Sequence, residues 1–322
     1  MSELMKIFPA GLREKMKHID FIKEGYTELR FRCNGPVMFL KGTEEVFLHK
    51  NGGICSDLTL AYVISINELR EMMEYISNFS VYAYEEELKQ GFLTISGGHR
   101  VGICGKVVLA GSEIKTIRNI VFLNIRLARE VYGCGEKLLP YLYREDRLYH
   151  TLIVSPPGCG KTTLLRDIIR QVSDGGKWKD NRGVMQNIRG RKVGVVDERS
   201  ELAACYNGVP QNNLGRRTDV LDGCPKEKGI ELLIRSMSPE VIAVDELGGE
   251  RELELIEKSI YCGCSILATA HGESREAWFK EDKGYRKQLL TGIFERYVFL
   301  KQEKPGCVEA VCDSTGKEVF AE

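Results

Sequence analysis

The sequence predicts an α/β protein: a mainly parallel, helix-covered sheet in the C-terminal half, preceded by a smaller α+β domain. Two observations carry this. After His150, short apolar runs alternate with helical stretches, the rhythm of a parallel sheet buried on both faces. Before that point, runs that alternate apolar with polar residues are joined by glycine turns, as in strands with one wet face. A chain of 322 residues suits two domains, expected here over 1–130 and 151–322 with a linker at 131–150.

The elements follow in order. Leu12, Met16 and Ile19 share one face of an N-terminal helix beside Arg13, Lys15 and Lys17, a face that serves a core, a membrane or a partner helix. "ELRFRCNGPVMFL" (Glu28–Leu40) reads as two strands around Asn34-Gly35-Pro36. "SINELREMMEYISN" opens with a capping box at Ser65 and Glu68 and aligns Leu69, Met72, Met73 and Ile76 on one helical face. A second helix is expected over Val81–Gln90, stopping at Gly91. "FLTISGGHRVGICGKVV" (Phe92–Val108) alternates on both sides of Gly97-Gly98 as a hairpin does, and Ile120–Ala128 is a further strand. The linker carries Gly133, Gly135 and Pro140 around a short helix. Buried strands then recur at Leu152–Ser155, Val193–Asp197, Val241–Asp245 and Ser265–Ala270. Ser173–Gly183 reads as a surface loop. Tyr206–Lys226 reads as a long irregular stretch, which compact domains keep for function.

The 46 basic and 46 acidic side chains cancel, so no net field selects a nucleic acid, an anionic membrane or an acidic substrate. No basic, aromatic-interleaved stripe marks a single-strand groove either, and nucleic acid is not an expected partner. Eleven cysteines without a secretory leader read as reduced thiols of a cytoplasmic protein. No apolar run approaches the ~20 residues of a membrane span, so membrane association is expected at the periphery, through partners.

The chemistry concentrates in Ser155-Pro156-Pro157-Gly158-Cys159-Gly160-Lys161-Thr162, followed by Thr163. This is G-x-x-x-x-G-K-[ST] between a strand and a helix, with serine in place of the first glycine. Gly158 and Gly160 let backbone N–H groups face phosphates, Lys161 can reach the β and γ oxygens, and Thr162 can hold Mg²⁺. The helix start adds its positive end. Serine at 155 is expected to restrict the loop where it leaves the strand, because a Cβ disfavours positive φ.

"PEVIAVDELGGE" ends a strand in Asp245, a magnesium ligand through water, and Glu246, which polarises the attacking water. "KVGVVDERSELAA" ends another in Asp197 and Glu198. Glu198 supports the water, couples neighbouring subunits or merely favours a helix N-terminus. "CSILATAHG" delivers Thr269 and His271 to the same sheet edge, where His271 can donate to a γ-phosphate or serve structure alone. Arg126, Arg129, Arg216, Arg217 and Arg235 are candidates to offset charge on a neighbour's γ-phosphate, against the ordinary reading of solvated arginines. Cys262-Gly263-Cys264 lacks a second pair and reads as turn-and-core thiols rather than a zinc site. Cys159 reads as small filler in the loop.

With these residues in place, the chain resembles the stage III sporulation protein AA family, a relative of the type II and type IV secretion ATPases. "TELRFRCNGPVMFL" and "GGHRVGICGKVV" resemble its N-terminal domain, and "NIRLAREV" its linker. "VVDERSELAA", "GVPQNNLGRRTDVLDGCPK", "PEVIAVDELG" and "ATAHG" resemble its ATPase core. The resemblance implies a RecA-like ATPase using ATP and Mg²⁺, assembled as a hexameric ring with nucleotide between subunits and an N-terminal domain that moves on hydrolysis. It implies a sporulation channel between mother cell and forespore, driven from the mother-cell cytoplasm beside other stage III sporulation proteins at the membrane. It places Lys161 in Walker A, Glu198 in the Asp box, Asp245 and Glu246 in Walker B and His271 in the His box. Two other readings stay open: a non-hydrolysing scaffold whose assembly ATP sets, and a RecA-type nucleic-acid motor.

Overall fold

The computed structural model describes residues 3–80, 84–179, 183–280, 292–301 and 306–321. Its contacts form two units, Met1–Arg129 with Ala204–Gln211 and Glu130–Ala203 with Asn212–Glu322. Residues 131–150, expected as a linker, fold with the second unit, whereas Ala204–Gln211 folds with the first.

The first unit comprises α1 (Ala10–Met16), β1 (Glu28–Arg32), β2 (Met38–Lys41), β3 (Glu44–Leu48), β4 (Ile54–Cys55), α2 (Ile66–Ile76), α3 (Glu85–Gln90), β5 (Phe92–Ile95), β6 (His99–Ala110) and β7 (Glu113–Arg126). The strands form a 7-stranded antiparallel sheet in the order β4-β3-β2-β1-β7-β6-β5. Alternation along β1 buries Leu29 and Phe31, which join Phe8, Phe39, Leu69, Met72 and Ile125 in one core. Leu12 and Met16 are fully buried there, so the apolar face of α1 serves the core rather than a membrane. Ser65 and Glu68 close the reciprocal capping box of α2. The helix expected over Val81–Gln90 is present from Glu85 and ends at Gly91 in the left-handed region; residues 81–83 lie outside the described residues. β7 starts at Glu113, well before the expected Ile120, and pairs with β6 as a long ribbon.

The second unit holds α4 (Leu139–Leu142), β8 (Tyr143–Arg144), β9 (Arg147–Leu148), β10 (Thr151–Ser155), α5 (Lys161–Asp174), β11 (Gly175–Lys179), β12 (Met185–Arg189), β13 (Val193–Asp197), β14 (Thr218–Asp222) and α6 (Lys226–Ser236). It continues through β15 (Val241–Val244), α7 (Glu250–Tyr261), β16 (Ser265–His271), α8 (Arg275–Lys280), β17 (Arg296–Leu300), β18 (Val308–Asp313) and β19 (Glu318–Ala321). The 8-stranded sheet has the order β14-β13-β15-β16-β10-β17-β18-β19, parallel from β14 to β17 and antiparallel at β18 and β19. Every residue of β10, β13 and β15 is buried, which is why these strands read as continuous apolar runs. Each buried aliphatic side chain there contributes about 1.5–3 kcal/mol.

Two expected loops are corrected. Ser173–Gly183 holds the end of α5 and β11, which pairs with β12; Trp178 is buried with its ring 5.1 Å from that of Tyr143. Tyr206–Lys226 includes β14 and the first residue of α6, so it is not irregular throughout. The short apolar content of β14 hides between polar residues, because only half of an edge strand is covered.

Candidate nucleotide site

Parallel pairing brings the carboxyl ends of β13, β15, β16 and β10 side by side, the edge at which open α/β sheets hold ligands. Register does the fine placement. Val196 pairs with Val244 and Val244 with Ala268, so Asp197, Asp245 and Thr269 emerge in one row, while Ser155 lies two residues beyond that row, paired with His271.

The loop after β10 turns through Gly158 at φ 80° and Gly160 at φ 90°, conformations that glycine adopts without a Cβ penalty. Gly160 caps α5 with no side-chain bond to the first amides, which leaves the helix N-terminus open to an anion. Ser155 causes no restriction, contrary to expectation. It is an extended residue of β10, and its hydroxyl donates to the Pro156 carbonyl at 2.9 Å. Cys159 is buried with Sγ 3.9 Å from the Pro157 carbonyl, a filler of the turn.

Lys161 folds back into the loop. Its Nζ donates to the carbonyls of Ser155 at 3.1 Å and Pro156 at 3.3 Å, and lies 3.1 Å from His271 Nδ1. Burial pulls its pKa below the ordinary value, while Asp245 and Glu246 oppose that shift by favouring the charged form. Thr162 Oγ1 donates to Asp245 Oδ2 at 3.1 Å, and Thr269 Oγ1 donates to Asp245 Oδ1 at 2.7 Å. The Glu246 N–H donates to the same Thr269 hydroxyl at 2.8 Å.

Glu246 sits at φ +48°, a left-handed conformation in a residue with a Cβ. Such backbone costs about 1 kcal/mol and persists where neighbours over-determine it. Here Thr269 supplies both locks, its hydroxyl to the Glu246 N–H and its carbonyl to the Leu247 N–H at 2.8 Å. The carboxylate reaches His271 Nε2 at 3.0 Å and Arg199 Nη1 at 3.4 Å.

The structure thus gathers Lys161, Thr162, Asp245, Glu246 and His271 in one network, with Thr269 at its centre. Glu198 stands apart, 2.9 Å from Lys226, which also faces Glu252 at 3.6 Å. Among the described residues none of the five candidate arginines is bonded to this network. Arg126 lies 3.8 Å from Glu28, Arg129 donates to the Tyr26 carbonyl at 2.8 Å, and Arg235 is exposed on α6. Arg216 is 85% exposed beside Asp174. Arg217 is committed within its own chain, donating to the Ser173 and Asp174 carbonyls at the end of α5. Cys264 is a buried thiol directed at the Pro239 carbonyl, as a core cysteine should be.

Arg199 and Arg166 were not legible in the sequence. Arg199 follows Asp197-Glu198, and only the parallel neighbour β15 brings it to Glu246. Arg166 donates to the Glu201 and Leu202 carbonyls at 2.7 and 2.9 Å, pinning the turn after β13 to α5. Asp197 completes that turn by accepting from the N–H groups of Glu201 at 2.8 Å and Ala203 at 2.7 Å. Burial pushes its pKa up although these bonds favour the anion, and the carboxyl serves structure.

A family model described as "Sporulation stage III, protein AA" matches residues 1–319. The stage III sporulation protein AA of Bacillus subtilis (strain 168) is 38% identical over 98% of this chain and 96% of its own length. An uncharacterised protein, ycf45 of Porphyra purpurea, is 28% identical over 65% of this chain, which spans 34% of it. Among solved structures, the ATPase DotB of Legionella pneumophila superposes with a TM-score of 0.55 at 13% identity, covering 91% of this chain and 76% of DotB. The pilus retraction motor PilT with bound ADP gives 0.53 at 14% identity, covering 93% of this chain and 78% of PilT. At such identities the likeness is one of fold, that of the RecA-like secretion ATPases.

Proposed function

Because the chain belongs to the sporulation stage III protein AA family, we propose that it is a Mg-dependent ATPase that works as a ring. The observation that carries this reading is the link Thr162–Asp245–Thr269–Glu246, which ties the start of the loop helix to the acids that follow β15, across the intervening β16.

Lys161 and the open amides of α5 take the phosphate charge, which requires Lys161 to release the Ser155 and Pro156 carbonyls. The Thr162 hydroxyl and Asp245 carboxylate are hard oxygen donors that suit Mg²⁺. Once bound, Mg²⁺ neutralises charge on the terminal phosphates. Glu246, on its strained backbone, orients and deprotonates the attacking water, and His271 turns its Nε2 proton from Glu246 to the γ-phosphate. A neighbouring subunit supplies the arginine; Arg235 is exposed and Arg126 and Arg216 are exposed beside Glu28 and Asp174, whereas Arg129 and Arg217 are held by carbonyls. Glu198 takes a supporting place through Lys226.

In this reading the ring is a hexamer that energises transport between mother cell and forespore, placed in the mother-cell cytoplasm with other stage III sporulation proteins at the membrane. No helix of the described residues is long and apolar enough to cross a bilayer. Phosphate release measured across protein concentration tests it, with activity rising as rings form. Lys161→Ala should lose ATP binding, and Glu246→Gln should keep binding while turnover falls by about 10²-fold or more. ATP binding without turnover in the unaltered protein would replace the motor with a nucleotide-set scaffold.

A further inference from the structure

Between Cys104 and Ile120 no residue of the β6–β7 ribbon is buried. The ribbon leaves the sheet at a bulge where the register slips between Cys104 and Lys106 and Asn119 takes φ 49°. Only glycine fits at 105, because a Cβ there would lie 2.5 Å from the Arg118 carbonyl oxygen. Beyond the bulge Val107 pairs with Ile117 and Leu109 with Ile114. Alternate residues share a face, so these four make one aliphatic face, with Val107 46%, Leu109 60% and Ile114 41% exposed.

The opposite face sets Lys106 directly across from Arg118 and Ala110 across from Glu113. Like charges in register destabilise a strand pair, and neither cation has an acid partner among the described residues. Lys115 sits at a second register slip nearby. Over 105–119 the three basic side chains meet the single acid Glu113. A lone two-stranded ribbon is marginal in water. Its two faces call for one partner that offers both apolar volume and negative charge.

We propose that this ribbon docks directly on an anionic bilayer surface. Val107, Leu109 and Ile114 sink into the headgroup–acyl boundary, Ile117 stays packed against the core at the base of the ribbon, and Lys106, Lys115 and Arg118 reach lipid phosphates, as the two faces of interfacial amphipathic elements do. A second copy is a poorer occupant. A copy stacked on the aliphatic face would leave Lys106 and Arg118, on the ribbon's other face, with no negative charge to meet. Each basic side chain near such a surface strengthens binding about fivefold, and a ring would multiply the contact through avidity.

Flotation of the full-length protein with vesicles tests the assignment. Phosphatidylglycerol–phosphatidylethanolamine vesicles should retain about tenfold more protein than phosphatidylcholine vesicles. Leu109→Ser with Ile114→Ser, and separately Lys106→Glu with Arg118→Glu, should each lower retention about tenfold. Because all four residues are solvated, thermal melting unchanged from the parent certifies the fold of each variant. Equal retention on both vesicles, or retention insensitive to either pair, overturns the proposal. So does a shift in oligomeric size caused by the serine pair without any vesicle binding, which would give the face to a second copy.

Discussion

Lys161 and His271 are bonded directly, Nζ to Nδ1 at 3.1 Å, and this contact fixes where the imidazole proton resides. An ammonium only donates, so Nδ1 accepts and Nε2 carries the proton that it donates to Glu246. The three donors of Lys161 are then all used, on the Ser155 and Pro156 carbonyls and on His271. A phosphate entering the loop must displace them, and freeing Nδ1 loosens Glu246 in turn.

His271→Ala should lower turnover about 10–100-fold while ATP affinity changes less, because the loop retains its glycines, Lys161 and Thr162. Nitrogen-15 NMR of the nucleotide-free protein should show the His271 proton on Nε2. A proton on Nδ1 would contradict the contact.

Thr269→Val removes the one hydroxyl that serves both acids. The half-buried Asp245 Oδ1 loses its donor and the Glu246 N–H its acceptor, a loss of about 1–3 kcal/mol. Thermal unfolding should fall by about 2–4 °C per kcal/mol for a unit of this size, and turnover should fall with it. Thr269→Ser, which keeps the hydroxyl, should restore turnover.

Ser155→Gly, which supplies the expected glycine, should not tighten ATP. The residue is an extended member of β10, so the change only adds unfolded-state entropy, costing about 0.5–1 kcal/mol. Titration should give an ATP affinity within about twofold of the parent, and an increase of tenfold would show that the hydroxyl obstructs the loop.

Asp167 gives a pH signature. Burial alone would raise its pKa, but the Gly135 N–H at 2.8 Å and Arg170 at 2.7 Å outweigh that cost and hold the carboxyl below its ordinary value of 3.8. The stability it contributes is complete above the ordinary value and is lost as pH falls through the lower folded one. Asp167→Asn should cost about 1–3 kcal/mol at neutral pH. The gap in melting temperature between variant and parent should close as the pH is lowered below the ordinary value and through the folded one.

The loop at Ser155–Thr163 was legible because its residues are neighbours in sequence and the strand before it is wholly apolar. The buried strands β13, β15 and β16 were legible for the same reason. What escaped depends on partners far along the chain. Arg199 acquires meaning only from Glu246, β14 reads as loop because its residues are only half covered, and the 104–120 ribbon looks like any alternating strand pair. Its exposure is set by a bulge at Gly105, one glycine among many in the sequence. Ser155 ends its strand as the apolar run implies, and the restriction expected of its Cβ is absent because the residue is not in the positive-φ region.

The segment Ala204–Gln211 carries a consequence for the order in which the chain can be built. Tyr206-Asn207-Gly208-Val209 closes a tight turn with φ 51° and 76° at its centre, and it serves the first unit through Asn78, which donates to the Tyr206 hydroxyl, and Gly97, whose N–H donates to Gln211. Gly98 leaves room for that approach, since a Cβ there would lie 3.2 Å from Ala204 Cβ. During synthesis, then, the first 129 residues leave the ribosome with an unfinished surface that stays open until Gln211 follows. By that time β10, the loop lysine and β13 have already emerged, so the amino-terminal unit is completed only after the first strands of the second unit, and neither unit is one continuous stretch of chain.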